Sequence, residues 1–169
     1  MNDNTSKADS TLKIRPVEAA DVPVLKSLID QMAEYERLPS TITDHDLLAD
    51  GFGVQPLFRA LIAESDGAAS GYALFYPCYS SFLGKAIFLE DLFVVPGVGG
   101  QSVGQALLSR VAAIAVREGF FGLVFNVLRW NEKALTFFLN AGAERLEEWA
   151  VLTLRGDALR AASDQEASA

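Results

Sequence analysis

One stretch, Ala86 to Leu108, constrains the fold more than any other. Residues 86–95 are apolar and β-branched or aromatic apart from Glu90 and Asp91, which predicts a strand. Pro96 ends it, because proline donates nothing to a ladder. Gly97, Gly99, Gly100 and Gly104 keep side chains away from a tight turn. Val103, Leu107, Val111 and Ile114 then recur at helical spacing. A strand that breaks straight into a helix aims backbone N–H groups, at the positive end of the helix dipole, at one point in space.

That point suits a phosphate, and several readings of the turn compete. A Walker loop requires Gly-Lys-Ser/Thr at its end, and the turn has no lysine. A dinucleotide fingerprint opening at Gly97 requires glycine where Ser102 stands, and further βαβ units that the chain does not supply. A pyrophosphate loop for coenzyme A and an ordinary βα turn without a ligand both remain open on this stretch alone.

The rest of the chain narrows the class. Its 169 residues fit one domain, predicted over 11–162, between tails at 1–10 and 163–169 that read as disordered. No apolar run approaches the roughly 20 residues of a membrane span. The N-terminus lacks a signal-peptide apolar core. Cys78 is the single cysteine, so no internal disulfide forms, and a cytoplasmic location is the natural reading. A net charge of −8 argues against nucleic acid and anionic membrane and favours cationic substrates such as amines. No Cys/His cluster points to a metal.

In chain order, 12–17 alternates as a strand, and Asp21 with Pro23 starts a helix whose apolar stripe runs Val22, Leu25, Leu28, Ile29, Met32 and Tyr35. Thr43 and Asp46 form a capping box for a short helix closed by Gly51. Strands follow at 57–63 and 71–79, joined by an Asp66-Gly67 hairpin turn. After the opening stretch come a strand over 120–127, a helix over 131–139, and a last hairpin pairing 144–147 with 149–154. A final helical turn over 157–162 closes the chain. The order is that of a mixed α/β domain.

This order, with its glycine turn after the third consecutive strand, resembles the GNAT acyltransferase superfamily. Asp50-Gly-Phe-Gly53, Leu89-Glu-Asp-Leu-Phe-Val94, Glu34-Tyr-Glu36 and Trp130-Asn-Glu132 resemble its diamine (spermidine/spermine) and thialysine acetyltransferase branch. The resemblance runs from residue 12 to about 155. It implies a central mixed sheet splayed into a V between two parallel strands, with acetyl-CoA as the acyl donor held in the V. It puts the pyrophosphate on the turn, Gly99, Gly100, Gln101, Ser102, Val103, Gly104 and Gln105. Leu92, Phe93 and Val94 would hold the acetyl and pantetheine arm, with Asn131, Lys133 and Ala134 on the other side of the cofactor. The amine would sit near Tyr35, Glu36, Glu90, Val124, Phe125 and Asn126. Relatives of this kind are homodimers.

The chemistry follows from the residues. An alkylamine has a pKa near ~10.4, so at neutral pH it must lose a proton before it attacks a thioester. Glu90, in an otherwise apolar strand, is the candidate base, acting through water. Strand alternation predicts that Glu90 and Asp91 point to opposite faces, with Asp91 bonded structurally. A backbone N–H of the splayed strand over 92–94 suits the oxyanion. Glu36 suits a substrate ammonium.

The chain departs from the resemblance in places. Phe138 stands where the family has a tyrosine that protonates the leaving thiolate. Gly99, Ser102 and Ala141 replace a basic residue or glutamine, a glycine and a basic residue. Ser80 and Phe82 replace an acid and a tryptophan of polyamine enzymes, which argues against long polyamines. Two functions follow: N-acetylation of a small primary amine, or an impaired GNAT-fold protein that only binds acyl-CoA. His45 reads as solvated, and Trp130 and Trp149 as packing residues.

Overall fold

The computed structural model describes residues 11–98 and 100–164. The expected N-terminal tail (1–10), the end of the C-terminal one (165–169) and the turn residue Gly99 lie outside the described residues. The chain divides into two compact units, Met1–Asn126 and Val127–Ala169.

The first unit holds β1 (Leu12–Pro16), a 3-10 turn (Ala19–Asp21), α1 (Val22–Glu36), α2 (Asp44–Phe52), β2 (Arg59–Ser65), β3 (Ala68–Ser80), β4 (Gly84–Val94), α3 (Gly100–Glu118) and β5 (Leu123–Val124). The strands form one sheet in the order β1-β2-β3-β4-β5, antiparallel except for the parallel β4–β5 pair. Asp66 and Gly67 both take positive φ (52° and 80°), the twist a two-residue hairpin needs.

On one face of the sheet, Leu25 and Leu28 of α1 bury against Ile62, Tyr72, Leu74 and Phe93, with Ile29 and Met32 packed alongside. Burying such side chains is the main source of stability. α3 packs against β3 and β4 through buried Val103, Leu107, Val111 and Ile114. At Gly71 β3 and β4 come close: a Cβ there would stand 2.5 Å from the Phe93 carbonyl oxygen. The capping box forms as expected, Asp46 N–H donating to Thr43 Oγ1 and Thr43 N–H to Asp46 Oδ2. Asp21 behaves otherwise. Its carboxylate takes two bonds from Arg15 and one from the Glu18 N–H, so it caps no N–H of α1.

The second unit holds α4 (Glu132–Asn140) and α5 (Gly156–Asp164). α5 carries Ser163 and Asp164, which the sequence reading assigns to the tail. The expected hairpin of 144–147 with 149–154 is not formed; the segment has no strand. Trp149, expected to pack, is 72% exposed, and Val151, Leu152 and Leu154 are exposed with it. Their β-propensity is real, but a hairpin without a further strand or helix to cover it is marginal in water. The strand expected over 120–127 shrinks to Leu123–Val124, an edge strand among the described residues, so the parallel pair does not sit centrally.

Candidate active site

β4 changes character halfway along. Up to Phe88 it lies between β3 and β5, but the β4–β5 ladder consists of Ile87↔Leu123 and Phe88↔Val124. From Leu89 to Val94 it pairs with β3 alone among the described residues, which leaves one edge of N–H and C=O groups open. This opening is the splay between parallel strands.

The register slips where the splay begins. Leu74 pairs with Asp91, but Phe75 pairs with Leu89, so Glu90 is an extra residue on β4. Tyr72 and Tyr76 lie on one face of β3, four residues apart. The Tyr72 hydroxyl donates to Asp91 Oδ2 at 2.9 Å and the Tyr76 hydroxyl to Glu90 Oε2 at 3.1 Å. The two carboxylates therefore turn to the same face. Alternation, which places them on opposite faces, holds only for a regular ladder, and the bulge breaks it.

Beside them a cleft of about 280 Å³ is lined by Ile29, Met32, Glu36, Leu38, Tyr72 and Asp91, with 39–42 of the α1–α2 connection completing it. Burial is the largest influence on Asp91, and it outweighs the Tyr72 hydrogen bond; with the nearby negative charges of Glu90 and Glu36, it pushes the carboxyl up to about 6. Burial also raises Glu36. Burial, then the Glu90 charge, raises Tyr76 to about 12, and burial holds Tyr72 far above the usual phenol range. Among the described residues none of the ion pairs involves Glu36, Glu90 or Asp91. Three carboxylates without a protein cation are costly unless a cationic ligand joins them. Sequence reasoning gave Asp91 a structural part; only the bulge shows it sharing a face with Glu90.

The remaining expected residues fall as follows. Glu36 ends α1 and lines the cleft; Tyr35, beside it, is 42% exposed. Leu92 and Val94 are half-buried and Phe93 buried on the open half of β4. Gly100 opens α3 at φ +40°, and its N–H donates to the Val98 carbonyl. The first four N–H groups of a helix have no carbonyl of their own helix to bond. Gly104 and Gln105 lie further into α3, where N–H groups bond to carbonyls one turn back. No acidic side chain occupies the first turn of α3 to cancel its dipole. Val124 is in β5, followed by half-buried Phe125 and exposed Asn126.

In the second unit, Asn131 caps α4 by accepting from the Ala134 N–H at 3.1 Å, which occupies that amide. Lys133 is exposed. Phe138 packs edge-on against Phe137, ring centres 5.1 Å apart. Among the described residues no group of His, Cys, Asp and Glu is placed to hold a metal, and no helix is long and apolar enough to cross a membrane.

A sheet opened between parallel strands, with a glycine turn and a helix after the opened strand, is the arrangement that the resemblance to acyltransferases implies. The chain belongs to the Acetyltransferase (GNAT) family, which matches residues 25–143. It is 34% identical over 164 residues to the mouse (Mus musculus) thialysine N-epsilon-acetyltransferase, covering 89% of this chain and 96% of that one. It is 28% identical over 197 residues to the L-ornithine N5-acetyltransferase of Arabidopsis thaliana, covering 88% of this chain and 86% of that one. Among solved structures, an aminoglycoside N-acetyltransferase in complex with CoA superposes with a TM-score of 0.70 at 22% identity, over 89% of this chain and 98% of that one. As a member of this family the protein is an N-acetyltransferase with acetyl-CoA as acyl donor. The impaired binding protein is not favoured.

Proposed function

We propose that the acceptor is a small primary amine of the diamine or thialysine-like class. The observation that carries this is the cleft with Glu36 and Asp91 in its wall, Glu90 adjacent, and, among the described residues, no cation paired to any of the three. The relatives' named substrates agree with it: thialysine for the mouse protein and L-ornithine for the Arabidopsis one.

Each part of the chain has a share. The acidic cleft binds the ammonium, with Tyr35 and residues 124–126 beside it. Glu90, exposed at the bulge, takes the proton from the bound ammonium through water and leaves a neutral amine. The open edge of Leu92–Val94 and the start of α3 fit the donor; its support is the edge that has no β5 partner among the described residues and the absence of an acid in the first turn of α3. Acetyl-CoA supplies the acetyl group as a thioester. Phe138 has no proton to give, so the thiolate leaves unassisted, which a thiol pKa near ~8.5 permits. The protein works in the cytoplasm as a homodimer; the exposed apolar run Trp149–Leu154 is the kind of surface a second copy covers.

Acetyl-CoA consumption measured against thialysine, ornithine, 1,3-diaminopropane and spermidine tests the reading. Turnover is expected with the short amines, and least with spermidine because Ser80 carries no charge. No turnover with any of them, while CoA still binds by calorimetry, removes this acceptor class. Phe138→Tyr is expected to raise kcat, by up to the ~10²-fold at the low end for a general acid.

A further inference from the structure

Tyr72 is 0% exposed as a residue, yet it borders the acidic cleft. Its hydroxyl stands 2.9 Å from Asp91 Oδ2 and 3.2 Å from Met32 Sδ. A phenol has one proton to donate, and a carboxylate accepts it far better than a thioether. The proton is therefore committed to Asp91. Among the described residues the other oxygen, Oδ1, has no partner, and no buried side-chain oxygen is left unsatisfied. Oδ1 therefore keeps its lone pairs for a ligand in the cleft that Asp91 lines.

We infer that Tyr72 is a positioning residue for the acceptor amine: donating to Asp91 Oδ2, it keeps that carboxylate ionised and presents Oδ1 as the seat of the substrate ammonium. This rests on the amine reading of the cleft. The groups facing Asp91 are Glu36 from α1, Tyr72 and Tyr76 from β3, and Glu90 from β4. Ser40 and Thr41, from the α1–α2 connection, bring no charge. Both carboxylates favour a proton on Asp91, as burial does, and the Tyr72 hydroxyl opposes them. Burial in turn keeps that hydroxyl protonated, so it is a donor at every working pH.

Tyr72→Phe removes the donor and keeps the ring, so the core packing survives. Two readouts are followed with pH in wild type and variant: kcat/KM for thialysine, and the 13C shift of the Asp91 carboxyl. In the wild type both are expected to turn near pH 6. In Tyr72→Phe both are expected to move up by about one to two pH units, with kcat/KM recovering at alkaline pH. Asp91→Asn is expected to abolish that limb in either background.

A carboxyl titration that does not move in Tyr72→Phe overturns the inference, since Tyr72 then only packs. A titration that moves while the kinetic limb stays also overturns it, since Asp91 then does not meet the amine. If the wild type acetylates none of the amines, the amine reading fails instead, and the carboxyl titration alone decides whether Tyr72 controls Asp91.

Discussion

The two halves of β4 share one strand and one composition but do different work. From Ala86 to Phe88 the strand is held on both sides, and Ala86 and Ile87 are fully buried. From Leu89 to Val94 it loses its outer neighbour, bulges at Glu90 and turns two carboxylates toward the tyrosines of β3. Satisfied ladder bonds make the first half rigid scaffold. In the second half, among the described residues, one backbone edge has no ladder partner and the acids have no ion pair, which is what the proposed ligand site requires. The proposed site arises by withdrawing a partner from a strand, not by adding a loop.

The sharpest way to break this contrast is Glu90→Gln. If the bulged glutamate takes the proton, kcat is expected to fall about 10²–10⁴-fold with little change in KM. A wild-type kcat in steady-state assays would place the base elsewhere.

Asp91→Asn separates the neighbours. The loss of a charged seat is expected to raise KM about 10–100-fold and leave kcat nearly intact. The same variant tests the electrostatics without substrate. Folding raises this carboxyl from its ordinary value of 3.8 to about 6, so between those values the folded state holds a proton that the unfolded state releases. Stability from this group is present below pH 4 and is lost as pH rises through 6. Asp91→Asn removes that penalty, and its melting midpoint is expected to rise by about 2–4 °C at pH 8 and to match wild type below pH 4.

Gly71→Ala probes the frame behind the open half. A methyl group 2.5 Å from the Phe93 carbonyl oxygen forces β3 and β4 apart. Urea unfolding is expected to show a loss of about 1–3 kcal/mol. Activity is expected to fall with it, because Phe93 lies on the open edge.

Much of this was legible in the residues because it depends on local chemistry. Pro96 and the glycines fixed where β4 gives way to α3, and Thr43 with Asp46 fixed the start of α2. Glu36 and Glu90 stood out as acids at the end of a helix and within an apolar strand. Asp91 was misread. Its face turns on a one-residue slip against Phe75, and no local pattern announces a slip that depends on how β3 and β4 pair. Nothing local marks Tyr72, whose bond to Asp91 joins residues 19 apart in the chain. The segment 144–154 has strand-forming side chains and makes no strand, since a strand needs a neighbour that composition cannot supply.

The sequence by itself determined the family, the element order around the glycine turn, and the acids available to meet an amine, because periodicity, turn chemistry and charge act within a few residues. The tertiary structure decided which edge of β4 stays open, that Glu90 and Asp91 share a face, and which carboxyl is buried enough to titrate near neutrality. Those depend on register and burial, which arise only when distant segments are brought into contact.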